Sequence, residues 1–530
     1  MNSVKTLKPI MDWFDRNGWK PFPFQIETWE NYLNGNSGLV QVPTGSGKTY
    51  AGYLGPLAEL IAQPSKGLQI LYVTPLRALA RDITNSLWEP HKEMGLPFKV
   101  ENRTGDLSSS RKKTQMKNPP ETLVITPESL EVLLSYPDSK EIFKNLRCLI
   151  VDEWHELLGQ KRGSLLELSI ARLKIFQPNL KTWALTATIK NAQLAAQIVT
   201  QSESPLVIQS NMDRPIDVEV LLPASVDRFP WAGHMGLSMS KILADKLDPE
   251  VSTLIFTNTR NQAEKWYETL SLLKPEWEHI LALHHSSLDK EDREIIEEGL
   301  KDGEIKIVVC TSSLDLGVDF QPVEKVVQIG SPKGIARFIQ RAGRSAHAPG
   351  KRSKVLFVPT HALEIFEINA LRKAMAEKDV EERRPRIEPF DVLIQHSMTC
   401  ALAFPIDPEK FYAEVKSTWA FKNLSRLDFD RCLNFAATGG KSLTAYPQFQ
   451  RLRKNEDGLL EPNHSLTTRL HRLNIGTITS ESQISVVYMS SKKRLGLIEE
   501  HFAGKLKAGD VFQFAGKTLQ FIRLQDMQAL

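Results

Sequence analysis

Short apolar runs rich in β-branched residues alternate with longer helical stretches through residues 39–358, and this alternation constrains the fold most. The first six runs are Leu39–Val42, Ile70–Thr74, Leu123–Thr126, Cys148–Asp152, Trp183–Thr186 and Leu206–Gln209. The next six are Val218–Leu222, Leu254–Thr257, Ile280–His284, Ile307–Cys310, Val326–Ile329 and Val355–Val358. Nearly continuous apolar strands separated by helices are typical of parallel sheets covered on both faces. Twelve strands are too many for one open sheet. We therefore expect two doubly wound α/β domains, over residues 1–210 and 211–380.

The pattern changes after the charged, proline-bearing segment Glu381–Pro389, which is typical of a linker. We expect a winged helix over residues 388–455 and the start of a β-rich, barrel-like domain over residues 465–530. The third helix of the winged helix should stop at Gly439, because glycine accepts the left-handed conformation that follows a helix end. The expected elements of the winged helix are helices Phe390–Phe404, Pro408–Phe421 and Asp428–Thr438, followed by Leu443–Phe449.

Composition excludes several classes of protein. The chain has 530 residues, of which 41% are hydrophobic and 25% charged, so it is neither disordered nor fibrous. It holds no apolar run long enough for a transmembrane helix, no signal-like N-terminus and no CxxC pair among its four cysteines. We therefore expect a cytoplasmic protein without a membrane partner. The net charge of +4 is compatible with nucleic acid but does not indicate it.

A glycine-rich segment, VPTGSGKT, follows the first apolar run and precedes a helical stretch. Backbone N–H groups of such a turn face phosphate groups, and the helix N-terminus favours their charge. Lys48 is expected to reach the β and γ phosphates of ATP, and Thr49 to hold Mg²⁺. Val42 stands where the strict motif has glycine, and a plain glycine turn is the alternative. The predicted nucleotide-binding residues of this segment are Thr44, Gly45, Ser46, Gly47, Lys48 and Thr49.

Two acids, Asp152 and Glu153, follow the apolar run that begins at Cys148. Open α/β sheets bind ligands outside the carboxyl ends of their strands. Asp152 suits a Mg²⁺ ligand, and Glu153 suits orienting or deprotonating an attacking water. Taken alone, two acids after a strand can be a solvated strand end, but the phosphate loop upstream favours a catalytic pair.

Nine segments in this order resemble the core of a superfamily 2 helicase. They run from about Phe22 to His347 and are PFPFQ, VPTGSGKT, TPLRALA, TPES, DEWH, TAT, IFTNTR, TSSLDLGVD and QRAGRSAH. DEWHELLGQKRG, PFDVLIQH and HRLNIGTI resemble a narrower group, the large helicase-related (Lhr) proteins, and within it the DNA-ligase-associated DEXH-box helicases. The resemblance implies two RecA-like domains, a winged helix and the start of a β-rich domain. Since those helicases usually continue further, we expect this chain to be the N-terminal core of a longer protein.

The resemblance also implies roles for single residues. Gln25 would read the adenine edge and Asp319 would contact the ribose. Gln340 would help to position the attacking water, while Arg341 and Arg344 would meet the phosphates. The residues implied to couple the ATP state to the nucleic-acid groove are His155, Thr186 and Thr188. Those implied to contact the nucleic-acid strand are Arg77, Thr104, Gly105, Thr126, Asn258, Arg260, His285, Ser286 and Thr311.

One position departs from the family pattern. Many members carry a further arginine three residues after the second arginine of the last motif, and His347 stands there in this chain. A neutral imidazole supplies no charge, so the γ-phosphate contact is expected from Arg344 together with Arg341.

The expected function is that of an ATP-dependent DNA helicase or translocase in DNA repair, with ATP and Mg²⁺. The resemblance implies 3′→5′ travel on single-stranded DNA or on DNA with a 3′ tail. A helicase or remodeller of RNA or of RNA:DNA hybrids is one alternative. An ATP-gated clamp that recruits a DNA ligase or nuclease is another. We expect this chain to be monomeric.

Overall fold

The computed structural model describes residues 3–43, 45–105, 107–210, 215–223, 229–231, 235–315, 323–345, 352–440, 449–476, 483–491, 493–525 and 528–530. Contacts between elements divide the chain into two compact units. Unit 1 comprises residues 1–211 and 382–478, and unit 2 comprises residues 212–381 and 479–530. Each unit therefore combines one α/β domain with a segment from the last third of the chain.

The α/β domain of unit 1 is built on a seven-stranded sheet. Its strands are β1 (Gly38–Gln41), β2 (Ile70–Val73), β3 (Val100–Arg103), β4 (Thr122–Ile125), β5 (Cys148–Val151), β6 (Lys181–Thr186) and β7 (Leu206–Gln209). Its helices are α1 (Ser3–Arg16), α2 (Pro23–Leu33), α3 (Lys48–Ala62), α4 (Arg77–Met94), α5 (Ser109–Lys117), α6 (Pro127–Leu134), α7 (Ser139–Ile142), α8 (Trp154–Leu157), α9 (Lys161–Phe176) and α10 (Ala192–Thr200). All the strands pair in parallel, in the order β3-β4-β2-β5-β6-β1-β7.

Strands β1, β2, β4 and β5 are buried along their full length, as the apolar runs predict. Strand β3 was not predicted, because its sequence VENR has two central residues that are polar and only half-buried. It lies at the edge of the sheet, where an apolar run is not required.

The α/β domain of unit 2 is built on a six-stranded parallel sheet in the order β10-β11-β9-β12-β13-β8. Its strands are β8 (Ile216–Val220), β9 (Thr253–Phe256), β10 (Leu281–His284), β11 (Ile307–Cys310), β12 (Lys325–Ile329) and β13 (Ser353–Val358). Its helices are α11 (Ser240–Lys246), α12 (Arg260–Leu273), α13 (Lys290–Asp302), α14 (Ile335–Ala342) and α15 (Leu363–Ala376). Neighbouring residues of β9 pack into two different apolar clusters, Ile255 into one and Leu254 with Phe256 into the other. Both faces of the sheet are therefore covered, and the two predicted doubly wound domains are confirmed.

The winged helix packs within unit 1 and consists of helices and a hairpin. These elements are α16 (Phe390–Ala403), α17 (Pro408–Lys416), α18 (Arg426–Thr438), β14 (Leu452–Lys454), β15 (Leu460–Pro462) and α19 (Ser465–Asn474). The Asp407 side chain caps α17, and Gly439 ends α18 with φ 74°, as predicted. Helix α17 is shorter than predicted, and most of the predicted segment Leu443–Phe449 lies outside the described residues.

The last segment packs within unit 2 and forms small sheets. Its elements are β16 (Gln483–Val487), β17 (Arg494–Glu499), α20 (Glu500–Ala503), β18 (Val511–Phe514), β19 (Lys517–Gln520), β20 (Leu524–Gln525) and β21 (Gln528–Ala529). The predicted limits of this domain begin at residue 465, yet α19 belongs to unit 1. The limits of all four domains remain predictions.

Candidate functional site

The glycine-rich segment forms a tight turn between β1 and α3. Gly45 and Gly47 have φ values of 69° and 83°, which glycine adopts without the strain that a side chain would bring. Gly47 is the N-cap of α3, and Lys48 is the first residue of that helix. The turn therefore exposes a helix N-terminus where phosphate groups are expected. Thr44 lies outside the described residues.

Gln25 anchors this turn from helix α2. Its Nε2 donates a hydrogen bond to the carbonyl oxygen of Gly47 at 3.0 Å, and its Oε1 accepts one from the N–H of Phe22 at 2.9 Å. A Cβ added at Gly47 would lie 2.8 Å from this Nε2, so only glycine fits against the amide. Gln25 thus lies at the phosphate turn, and its implied contact with adenine remains a prediction.

Lys48 and Glu153 meet in the interior of unit 1. The Lys48 Nζ donates to both carboxylate oxygens of Glu153, at 3.2 and 3.1 Å, and both side chains are less than 10% exposed. Glu153 also has φ 44°, a left-handed conformation that is uncommon for residues other than glycine. The sheet order explains the meeting, because β1 and β5 are separated by β6 alone and run in parallel.

Asp152 is held by two hydrogen bonds. The hydroxyl of Tyr72 donates to its Oδ2 at 2.9 Å, and the N–H of Glu153 donates to its Oδ1 at 2.9 Å. Burial, with the charge of Glu153, raises the pKa of Asp152 to about 6, against the opposing effect of Lys48. Tyr72 is buried in β2, and the side chain of Thr49 also lies close enough to its hydroxyl to affect the pKa of Tyr72, so the two expected Mg²⁺ ligands approach the same group. Carboxylate and hydroxyl oxygens are ligands that Mg²⁺ accepts, and the donor set fits that ion.

Tyr72 was missed in the sequence because it lies inside the apolar run ILYV. Its one signal is a hydroxyl in a strand that is otherwise apolar. Burial raises the pKa of Tyr72 well above its usual value, so the hydroxyl keeps its proton and remains a donor.

His155 lies between the acid pair and the end of β6. Its Nδ1 is 3.5 Å from Glu153 Oε2, 3.3 Å from Thr186 Oγ1 and 3.4 Å from the N–H of Ala187. Burial lowers the pKa of His155 to about 4, so the ring is neutral near pH 7. Thr188 follows in the same turn and is partly exposed. The structure therefore brings two of the three predicted coupling residues, His155 and Thr186, together beside Glu153.

In unit 2, the side chain of Arg341 is buried and bonded to residues of its own domain. Its Nε and Nη2 donate to the carboxylate of Asp315 at 2.7 and 3.2 Å, and its Nη1 donates to Gln328 Oε1 at 2.7 Å. The guanidinium also lies 4.8 Å from the centre of the Phe256 ring, and the residue is only 1% exposed. This placement disfavours the implied phosphate contact, because the guanidinium is already used inside the domain. Asp315 was missed although it lies within TSSLDLGVD.

Gln340 and Arg344, the other predicted nucleotide residues of unit 2 that the structure describes, differ in burial. Arg344 is half-buried, and its Nη2 donates to the carbonyl oxygen of Asp315 at 3.0 Å. The Nε2 of Gln340 is buried and has no hydrogen-bond partner among the described residues, which fits a group that awaits a ligand. Asp319 and His347 lie outside the described residues.

The predicted strand contacts of unit 1 follow three neighbouring strands. Arg77 comes after β2, Thr104 and Gly105 after β3, and Thr126 after β4. Arg77 lies over Gly105, where an added Cβ would be 2.9 Å from its Cζ. The Nζ of Lys112 donates to the carbonyl oxygen of Gly105 at 2.8 Å. Thus the predicted Arg77 and the unpredicted Lys112 converge on one loop.

In unit 2, the predicted strand contacts again follow adjacent strands but differ in exposure. Ser286 is exposed and Arg260 is partly exposed, while Thr311 is buried. The Nδ2 of Asn258 donates to the carbonyl oxygen of Ser331 at 2.7 Å. His285 is fully buried, and its Nε2 lies 2.9 Å from Glu264 Oε1. That position disfavours a strand contact by the side chain of His285, because its ring points into the domain.

Among the residues that the structure describes, no helix is both long and apolar enough to cross a lipid bilayer.

Three family profiles match successive parts of the chain. The DEAD/DEAH box helicase family matches residues 22–196, and the helicase conserved C-terminal domain matches residues 238–348. The winged helix domain of the large helicase-related protein matches residues 373–530.

Similar proteins carry these domains as part of a longer chain. ATP-dependent helicase Lhr-Core of Methanocaldococcus jannaschii is 33% identical, and the match covers 97% of this chain and 62% of that protein. The Lhr helicase and probable uracil glycosylase of Mycolicibacterium smegmatis is 29% identical, over 96% of this chain and 37% of that protein. The chain therefore spans less than two thirds of the length of these relatives.

Two solved structures share the fold. The structure of Mycobacterium smegmatis helicase Lhr bound to ssDNA and AMP-PNP has a TM-score of 0.79 at 29% identity, covering 90% of this chain and 62% of that one. The helicase MrfA bound to DNA has a TM-score of 0.78 at 21% identity, covering 100% of this chain and 72% of that one. At that lower identity, the second likeness concerns the fold alone.

Proposed function

Because the chain belongs to the large helicase-related (Lhr) group of superfamily 2 helicases, we propose that it is a DNA-dependent ATPase that translocates and unwinds DNA. The proposed substrate is single-stranded DNA or DNA with a 3′ tail, the direction is 3′→5′, and the setting is repair. Because the relatives are longer than this chain, we propose the same activity for a full-length protein that would contain it.

The observation that carries the proposal is the buried contact between Lys48 and Glu153, beside Asp152. An unpaired carboxylate at this depth would be costly, and the lysine neutralises it. The phosphates of ATP offer Lys48 a competing anionic partner. Nucleotide binding would then release Glu153 to orient or deprotonate water. Competition for one ammonium group thus links binding of the nucleotide to readiness for hydrolysis.

Thr49 and Asp152 would hold Mg²⁺, because the Tyr72 hydroxyl donates to Asp152 and lies near the side chain of Thr49. When bound, the ion would supply positive charge to the phosphate oxygens. The raised pKa of Asp152 reflects a buried carboxylate with too little positive charge around it. A divalent cation would correct that imbalance, which supports the assignment.

In unit 2, Gln340 and Arg344 are the residues that we assign to turnover. The unpartnered Nε2 of Gln340 supports contact with the attacking water. Arg344 would stabilise the charge that develops on the phosphates, while Arg341 fixes Asp315, whose carbonyl oxygen accepts from Arg344.

Nucleic-acid binding is assigned to the loops that follow β2, β3 and β4 in unit 1 and β9, β10 and β11 in unit 2. Hydroxyls, backbone groups and the guanidinium of Arg77 suit phosphate oxygens rather than base edges. Binding should therefore be independent of base sequence and should weaken as salt rises.

We propose a monomer that works in the cytoplasm, where its DNA substrate would lie, with a DNA ligase or nuclease as its repair partner. Sedimentation with and without a tailed duplex would test the monomer, and a stable dimer would contradict it.

Steady-state ATP hydrolysis tests the function, with single-stranded DNA, single-stranded RNA, duplex or no nucleic acid added. We expect strong stimulation by single-stranded DNA and its loss in Glu153→Gln. Stimulation by RNA alone would favour the RNA remodeller instead. Strand displacement on 3′-tailed and 5′-tailed duplexes then tests polarity, and ATP turnover without displacement of either would favour a clamp.

A further inference from the structure

Helix α6 connects the Thr126 loop to the winged helix. It spans Pro127–Leu134 and begins directly after Thr126, whose Oγ1 accepts from the N–H of Ser129 at 3.4 Å. An α-helix of eight residues is about 12 Å long. A displacement of the C-terminal end of such a short helix therefore also displaces Thr126 at its N-terminal end.

Helix α6 meets the winged helix at three places within unit 1. Near its middle, His396 Nδ1 lies 2.8 Å from Glu131 Oε1. At its C-terminal end, Arg472 donates to Ser135, from Nε to Oγ at 2.9 Å and from Nη2 to the carbonyl oxygen at 2.7 Å. In its first turn, a Cβ added at Gly476 would be 2.3 Å from Glu128 Cγ. The winged helix therefore touches α6 along its whole length.

The contact at Arg472 satisfies a group that the helix itself leaves open. The last carbonyl groups of an α-helix have no partner within the helix, and Ser135 is the C-cap of α6. A positive charge at this end is also favourable for the helix dipole. The guanidinium lies 4.1 Å from the centre of the Tyr136 ring, which fixes its plane. Arg472 is thus built into the end of α6.

The contact at His396 is an ion pair without exposure to solvent. His396 and Glu131 are both 0% exposed, and Ser169 Oγ donates to the same Glu131 oxygen at 2.6 Å. Burial opposes protonation of His396, but Cys400 and Glu131 outweigh it and raise its pKa well above the usual value. The interface is therefore charged on both sides.

The other ionisable groups around His396 complete a charge balance. His396, Cys400 and Glu414 offer ligand atoms within 4.8 Å of one another. The Nε of Arg172 lies 2.9 Å from Glu414 Oε1 and supplies the positive charge there. This group is therefore an ion-pair network rather than a metal site. From α19, His471 Nε2 bonds Thr399 Oγ1 at 2.9 Å.

We propose that Arg472 and His396 are positioning residues for DNA binding, which hold α6 so that Thr126 faces the strand. This inference rests on the proposed function, because it requires that the Thr126 loop contacts DNA. It assigns to the winged helix an indirect role in binding, through the α/β domain of its own unit. Neither residue has to touch DNA.

The test is the affinity for fluorescein-labelled oligothymidylate, measured by anisotropy for Arg472→Ala, Arg472→Lys and His396→Gln. We expect Arg472→Ala to raise the Kd about tenfold, since hydrogen bonds to charged groups are worth about that factor. The Kd of Arg472→Lys should lie between those of Arg472→Ala and the wild type. Lysine keeps the charge but lacks the planar guanidinium that donates two hydrogen bonds at once. The KM for ATP should stay unchanged. Arg453→Ala is the matched control, because Arg453 pairs with Glu461 in the hairpin of the same domain.

Thr126→Val separates the inference from the function on which it rests. If Thr126→Val leaves the Kd unchanged, the Thr126 contact fails, and the positioning role fails with it. If Thr126→Val raises the Kd while Arg472→Ala and His396→Gln do not, only the positioning role is overturned. When both single changes raise the Kd, Thr126→Val combined with Arg472→Ala should weaken binding by less than the product of the two effects. Parallel losses in DNA affinity, ATP affinity and melting temperature would also overturn the inference, since they indicate general destabilisation.

Discussion

The winged helix in unit 1 and the β-rich segment in unit 2 are each attached beside a predicted strand-contact loop, but by different chemistry. In unit 1 the contacts are side chains, such as Arg472 on Ser135. In unit 2 they are mostly backbone groups, because the N–H groups of Ala515 and Gly516 both donate to Glu264 at 2.6 Å. Side-chain contacts respond to single substitutions and to protonation. Backbone contacts are lost mainly when an added side chain separates two backbone segments that approach closely.

Glu264 shows how close the second attachment lies to the predicted DNA contacts. Its Oε1 accepts from Ala515 and lies 2.9 Å from His285 Nε2, directly before the exposed Ser286. The N–H of Leu497 also donates to the carbonyl oxygen of Ser287 at 3.0 Å. Both units therefore fix a strand-contact loop by an element from the last third of the chain.

The largest expected effect is at the buried pair of unit 1. Glu153→Gln should lower kcat for DNA-stimulated ATP hydrolysis by about 10²–10⁴-fold, because the amide cannot accept a proton from water. Nucleotide binding should persist, as measured with a fluorescent ATP analogue. Turnover equal to that of the wild type would remove Glu153 from this role.

In unit 2, Arg344→Ala should lower kcat by about 10²-fold while changing ATP affinity little, because its charge is needed mainly in the transition state. Arg337→Ala is the matched control, since Arg337 also approaches Asp315, at 3.6 Å, but is 39% exposed. An effect on ATP affinity alone would contradict a transition-state contact.

Arg341→Ala should act on stability instead. It leaves Asp315 buried without its main partner, and breaking such a pair costs about 3–5 kcal/mol of unfolding free energy. Urea unfolding followed by circular dichroism would measure the loss. A normal unfolding curve with a large loss of kcat would instead support the phosphate contact that the resemblance implies for Arg341.

The backbone attachment of unit 2 should be sensitive at Gly496. Its φ is 152°, and an added Cβ would lie 1.7 Å from the carbonyl oxygen of Ser287. Gly496→Ala should therefore lower the free energy of local unfolding of residues 483–530 by about 1–3 kcal/mol. This would be measured as faster amide hydrogen exchange in that segment. Gly509→Ala is the control, since it has φ 97° but nothing within 4 Å of its added Cβ. Equal effects of the two changes would mean that backbone strain, rather than docking, is responsible.

The smallest expected effect is a pH dependence of the attachment in unit 1. The pKa of His396 is raised in the folded protein, so its contribution to stability is complete below about pH 6.5 and is lost as pH rises through the folded value. This contribution to the free energy of unfolding is about 1.4 kcal/mol for each unit by which the pKa of His396 is raised.

The destabilisation caused by His396→Gln should therefore be larger at pH 6 than at pH 9 in urea unfolding. Wild type and variant should be compared at each pH, because His471 in the same interface has its pKa lowered to about 4 by burial and titrates in acid. A difference that grows with pH would reverse the assigned charge of His396.

Much of the fold and of the nucleotide site followed from local sequence. Buried strands appear as apolar runs, and the phosphate turn needs glycines at fixed positions, so neither depends on distant residues. Strand β3 was missed because an edge strand does not have to be apolar. Tyr72 was missed because nothing local marks a strand tyrosine as the partner of Asp152.

The sequence by itself determined which residues are chemically able to act, through residue type and spacing along the chain. The tertiary structure decided which of them remain accessible. Arg341 and Arg344 are three positions apart in one motif, yet only the fold buries the first against Asp315 and leaves the second half-buried. The reason is physical: the cost of burying a charge, and the partner that offsets it, depend on residues far away in sequence. In the same way, the docking of Arg472 on Ser135 joins residues 337 positions apart, a contact that no local pattern encodes.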